Sequence, residues 1–109
     1  MKKALQIFVV IALSFTIGRL VADQLPLNVG QKDKAFSVEH LKVKAGDSVT
    51  FTNDDPFFHN VFSLSPAATF DLGSYPQGES KSVTFDEAGD VQIECAIHPS
   101  MQMIIEVEE

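Results

Sequence analysis

The 109-residue sequence holds one cysteine, one tyrosine and no tryptophan. A single cysteine excludes an internal disulfide. Basic residues are scarce too: eight Lys and Arg stand against fifteen Asp and Glu, for a formal net charge of −7. Only five of the basic residues (Lys32, Lys34, Lys42, Lys44 and Lys81) lie beyond residue 22, with all fifteen acids, so that part of the chain carries a net −10. A surface this acidic argues against nucleic acid and anionic lipid, which both require a positive footprint. It fits a basic partner protein, and equally plain solubility. No internal repeat, low-complexity tract or long linker is present, and no segment after residue 22 sustains a helical period.

A membrane-spanning run is also missing. The apolar stretch at residues 4–18 extends 15 residues without a charge, short of the roughly 20 that a span needs. Lys2 and Lys3 precede it and Arg19 follows. That is the layout of a secretory signal peptide, with Ala22 as the small residue before a cleavage point at Asp23. The alternative is an uncleaved N-terminal anchor. Either way the expectation is export, to the periplasm or to a membrane-anchored position facing it. Residues 1–22 then form the signal or anchor. Residues 23–109 form one domain, just large enough for a single core. In an oxidising compartment an exposed lone thiol is a liability. Cys95 is therefore expected to be buried and inert, or occupied.

What is there in quantity is alternation. Leu25, Leu27 and Val29 alternate with polar or small residues, as do Phe36 and Val38; Leu41 and Val43 resume the pattern shifted by one, which suggests a bulge or bend near Glu39 and His40. Val49 and Phe51 share one face of a strand with threonines on the other. Residues 59–64 are apolar enough for a buried strand, and Val83 and Phe85 mark another. Val91, Ile93 and Cys95 point one way; Met101, Met103, Ile105 and Val107 do the same in the last strand. Turn signals stand at Ala45-Gly46-Asp47 and at residues 86–90. Residues 65–79 read as loop with a short strand near Phe70–Leu72. Short strands with turns between them and no long helix predict an all-β antiparallel sandwich.

The chemistry gathers in "CAIHPSM", residues 95–101. Cys95 ends the inward face of one strand, Met101 opens the inward face of the next, and His98 lies between. Pro99 holds His98 toward extended geometry. Such a loop can curl around one point and present a sulfur, an imidazole and a second sulfur. Thiolate and thioether are soft ligands, and imidazole suits copper. A thiolate, two imidazoles and a weak axial thioether make a blue-copper electron-transfer site. The second imidazole must come from elsewhere. Of the remaining histidines, His59 starts a buried strand and is the better candidate, whereas His40 reads as a solvated surface residue. A lone Cys, Met or His is commonly just core, and Met103 is read so. Apart from the initiator, however, every Met and the only Cys fall within nine residues around a His. Zinc is the competing metal, but structural zinc sites use four strong ligands and this loop offers a thioether.

With these residues in view, the chain resembles the small cupredoxins of the plastocyanin, pseudoazurin and amicyanin group. The similarity covers about residues 27–108 and rests on "VKAGDSVTFTNDD", "HNVFS", "FDEAGDVQIEC" and "CAIHPSM". The last is the specific one, and its short spacing is most similar to that of amicyanin. The resemblance implies a Greek-key sandwich and one copper ion cycling between Cu(I) and Cu(II). By that resemblance His59, Cys95 and His98 are the strong ligands and Met101 the weak axial one, with Met103 as fallback. It also implies that Asn60 ties the two ligand loops together beside the cysteine sulfur, and that Asn53 braces the neighbouring turn. The partners it implies are redox proteins, here with a basic docking surface, meeting a monomer near His98. Phe57, Phe58 and Pro99 are candidates to shield the sulfur. Glu94, directly before Cys95, departs from the aromatic that plastocyanins place there beside an acidic docking patch.

Other functions compete with an electron carrier. A copper-holding or copper-delivery protein would use the same donors and release the ion. A thiol enzyme with Cys95 as nucleophile and His98 as base lacks an evident third orienting group and room for a substrate pocket. A sandwich that has lost its metal would not be expected to keep the whole ligand set.

Overall fold

The computed structural model describes residues 27–109, so the signal or anchor segment and Leu25 lie outside the described residues. Among the described residues nine strands build two sheets: β1 (Leu27–Lys32), β2 (Ala35–Phe36), β3 (His40–Lys44), β4 (Asp47–Asn53), β5 (His59–Ser65), β6 (Ala68–Tyr75), β7 (Ser80–Phe85), β8 (Gly89–Glu94) and β9 (Gln102–Glu108). The four-stranded sheet has the order β2-β1-β4-β7 and the five-stranded sheet the order β3-β9-β8-β5-β6. Most pairs are antiparallel; β1 runs parallel to β4, and β3 parallel to β9. The all-β sandwich read from the alternation is the observed architecture.

The alternation works because one face of each strand must leave water. Val29, Val49, Phe51, Val61, Phe85, Val91, Ile93 and Ile105 are fully buried between the sheets. Phe70 of β6 meets Phe85 of β7 edge-on at 6.1 Å, closing one side across the two sheets. Tyr75 is fully buried as well; its hydroxyl donates to the Phe51 carbonyl at 3.1 Å, and it stands opposite His59 across the β5–β6 pair. Outside, β4 and β7 are laced by hydroxyl pairs: Ser48 with Thr84, Thr50 with Ser82 and Thr52 with Ser80, at 2.6–2.8 Å.

Two local readings of the sequence are sharpened. The shift near residues 39–40 is a bend rather than a bulge, and it carries the chain from one sheet to the other. Ser37 is still bonded to Gly30 of β1, whereas the Glu39 carbonyl already accepts from Ile104 of β9. The break in alternation marks the residues that carry the chain from one sheet to the other. Residues 65–79 are not mainly loop: β6 fills most of them as an edge strand with an extra residue opposite Asn60 and Phe62. That insertion throws its alternation out of phase.

One feature carries directly into the site. Asp33 and Lys34 form the two-residue turn between β1 and β2, and both have positive φ, 53° and 57°. Left-handed backbone at non-glycine residues costs energy and persists only where neighbours hold it. Here the Asp55 carboxylate accepts from both amides, at 2.7 and 3.1 Å.

Candidate metal centre

Strand ends place the donors. His59 is the first residue of β5, Cys95 directly follows β8, and Met101 directly precedes β9. His98 sits in the loop between, where its carbonyl accepts from the Met101 amide at 2.9 Å and rounds off the turn. His59 is fully buried, Cys95 and Met101 are each 1% exposed, and His98 is half-buried. The structure brings His59, Cys95 and His98 together: one donor atom from each lies within 4.8 Å of the others. His59 Nδ1 is 3.8 Å from Cys95 Sγ and 3.1 Å from His98 Nδ1. For an ion of zinc's size, with bonds of about 2.0 Å to nitrogen and about 2.3 Å to sulfur, neighbouring donors of a tetrahedral site stand about 3.3–3.5 Å apart. The two separations from His59 Nδ1 bracket that spacing, so the cluster suits a single small metal ion. Met101 is buried where the loop rejoins β9, and Met103 lies in the core at 2% exposure. His40 is a surface residue beside Glu106, 3.5 Å away.

Polar neighbours prepare these donors. His59 Nε2 lies 2.6 Å from Asp55 Oδ2. An ionised carboxylate only accepts, so Nε2 carries the ring proton and Nδ1 presents its lone pair to the cluster. Burial alone would raise the Asp55 carboxyl, but the bonds from His59 and the Lys34 and Asp33 amides outweigh it and hold it below its ordinary value. Burial, with help from the His59 and Lys34 charges and against that of Asp55, lowers the His98 imidazole below its ordinary value. That favours the neutral ring a metal requires. The Asn60 amide points at Cys95 Sγ from 3.5 Å, and the Asn60 side chain accepts from the Ala96 amide at 2.7 Å. Asn60 thus joins the two ligand loops, as the resemblance implied. Asn53 braces the first loop: its oxygen accepts from the Asp55 amide and its nitrogen donates to the Phe57 and Tyr75 carbonyls, at 2.8–2.9 Å.

Of the three candidates to shield the sulfur, Phe57 is the one packed against the ligand rings. Its ring stands 5.3 Å from the His59 ring and 5.2 Å from that of His98. Phe58 is 54% exposed and Pro99 is exposed too, so neither is core. Sequence reading missed Asp55. The signal was there: an aspartate four residues before a ligand candidate, inside an Asn-Asp-Asp-Pro turn.

A two-sheet sandwich that gathers a cysteine sulfur and two imidazoles at one pole, with a methionine buried at the end of the same loop, defines a cupredoxin-type soft-metal protein. Residues 24–108 match the family model described as copper binding proteins, plastocyanin/azurin family. The chain belongs to that family, and its donor cluster suits copper. It is 32% identical over 76 residues to amicyanin-alpha of Methylorubrum extorquens and, at the same identity, to amicyanin of Paracoccus denitrificans. Each match covers 67% of this chain, and spans 64% and 58% of the respective relatives' lengths. Among solved structures, a Cu(I) amicyanin variant matches with TM-score 0.71 and 28% identity, over 76% of this chain and 82% of that one. The copper-containing nitrite reductase of Thermus scotoductus matches with TM-score 0.72 and 28% identity over 78% of this chain, but only 23% of the reductase.

Proposed function

We propose that this protein is a type 1 (blue) copper protein that carries single electrons between redox partner proteins outside the cytoplasm. The observation that carries this reading is the convergence of the His59, Cys95 and His98 donors, with Met101 buried at the end of the same loop, in a copper-binding family. His59, Cys95 and His98 are the strong ligands and Met101 the weak axial one. Bound copper supplies a one-electron couple. The chain's part is to hold the donors in place, so that little rearranges when the charge changes. Asp55 fixes His59, Asn60 fixes Cys95, and the Phe57 ring packs against both imidazoles. His98 is the least buried donor; Ile97 before it and Phe58, which precedes His59, are 46% and 54% exposed. That apolar rim is where a partner would meet the site. The acidic surface steers a basic partner toward the protein, so its association should slow with added salt. We assign a monomer with no enzymatic role: the likeness to nitrite reductase spans a minor part of that enzyme.

Redox cycling tests the proposal. Loaded with one equivalent of copper, the protein should keep its ion through repeated reduction and reoxidation beside a copper chelator. Loss of the ion to the chelator on reduction would favour copper delivery instead. The axial assignment has its own check. Met101→Leu should shift the reduction potential while copper stays bound, and Met103→Leu should shift it much less. The reverse order would make Met103 the axial sulfur.

A further inference from the structure

We propose that Asp71, on β6, positions Asn60 and through it the Cys95 sulfur and the start of the ligand loop. The inference rests on the copper reading for its consequence, but its geometry belongs to the protein alone. Asn60 is 5% exposed, and each of its polar groups is engaged. Its amide faces Cys95 Sγ, its Oδ1 takes the Ala96 amide, its carbonyl accepts from Gln31 Nε2 at 3.4 Å, and its Nδ2 donates to Asp71 Oδ1 at 3.0 Å. The last contact, together with that of the Ala96 amide, fixes which way the side-chain amide is turned. A carboxylate accepts and cannot donate, so Asp71 dictates which end of the Asn60 amide faces it. Turning that amide over would set its oxygen against a carboxylate and its NH2 against the Ala96 N–H. Asp71 therefore holds the acceptor toward Ala96, the residue after the thiolate.

The backbone is shaped for this task. Asn60 lies opposite Ser74 and Phe62 opposite Asp71, so β6 carries one extra residue between them. Bulges re-aim side chains, and are frequent next to functional sites. Gly73 takes φ 73° within this one, and its amide donates to Asp71 Oδ1 at 2.8 Å. From β7 in the other sheet, Lys81 Nζ donates to the Leu72 carbonyl at 2.7 Å. A surface carboxylate is thus locked by its own strand and aimed at a buried amide.

Amide exchange in the metal-free protein tests the brace without copper. Asp71→Ala should speed exchange of the Ala96 amide roughly tenfold, because the bond to Asn60 Oδ1 opens more often. The Val49 amide in β4 should be unchanged. Asp71→Asn can keep its oxygen where Asp71 Oδ1 lies, so it should restore Ala96 protection to within about twofold of wild type. In the copper-loaded protein Asp71→Asn should raise the reduction potential, since a negative charge near the site is gone, while Asp71→Ala should also move the thiolate-to-copper absorption. If Asp71→Ala does not fold, the wild type still decides. One Asn60 side-chain proton should then exchange about tenfold more slowly than a free amide. Unchanged Ala96 exchange in Asp71→Ala, or a fast Asn60 side-chain proton in the wild type, would overturn the proposal. Slowed exchange in a protein that takes up no copper would sustain the brace and remove the copper reading instead.

Discussion

Cys95→Ser should fold as the wild type does and lose the intense visible absorption that Cu(II) gives the wild-type protein. The fold should survive because the change is nearly isosteric, and a serine oxygen can take the Asn60 amide that now faces the sulfur. The colour should not survive, because it belongs to the thiolate–copper bond and an alcohol is neither soft nor ionised at neutral pH. Cys95 is the only cysteine in the chain, so no other thiol can substitute. Absorption spectra of both proteins on titration with Cu(II), beside far-ultraviolet circular dichroism, make the comparison. A colourless wild type, or colour that persists in Cys95→Ser, would defeat the assignment of the thiolate.

The second large effect is expected at Asp55, which no ligand count would include. Asp55→Ala should weaken copper binding about 10–100-fold, the usual loss when a group behind a metal-bound histidine is removed. It should also cost about 2–3 kcal/mol of stability, since the buried His59 N–H loses its acceptor. The Asp33–Lys34 turn loses the carboxylate that holds its two left-handed residues in the same step. Asp55→Asn separates these roles in part. Its oxygen can keep the Asp33 amide, but an NH2 group in the place of Oδ2 would lose the Lys34 amide and, facing His59 Nε2, would pull the ring proton round to Nδ1, the nitrogen that faces the cluster. Copper affinity should therefore fall in Asp55→Asn although stability falls less than in Asp55→Ala. Asp55 also sets a pH dependence. Its folded value lies below the ordinary 3.8, so its stabilisation is complete above about that pH and is lost as pH falls through the folded value. The thermal midpoint of metal-free wild type should drop across that acid range more steeply than that of Asp55→Asn. Copper affinity within twofold of wild type in both variants would show that His59 needs no such support.

How much of this could be read from the sequence divides by distance along the chain. The burial of Val91, Ile93 and Cys95, and of Met101, Met103, Ile105 and Val107, follows from period-two alternation, which is a local property. The pole of the site was legible for the same reason. Cys95, His98 and Met101 arrive on one loop, and His59 stands out among three histidines by its apolar neighbours. The parallel pairing of β1 with β4 and of β3 with β9 left no local trace, because strand order is fixed by contacts between distant segments. β6 was obscured by its own bulge. Phe70 and Leu72 keep a half-buried rhythm, then the extra residue sends Ser74 and Tyr75 out of step. Asp55 and Asp71 were hidden in a different way. Each reads as a solvated acid, Asp55 in a turn and Asp71 on a short strand, until the fold shows which donors surround it.

The lone Tyr75 gives the molecule an optical reporter of its own. With no tryptophan to outshine it, ultraviolet emission excited beyond the phenylalanine band comes from that ring, sealed from water one strand away from His59. An ion entering the pole and quenching that fluorescence could be followed without a label, in the very protein whose ligands are being altered.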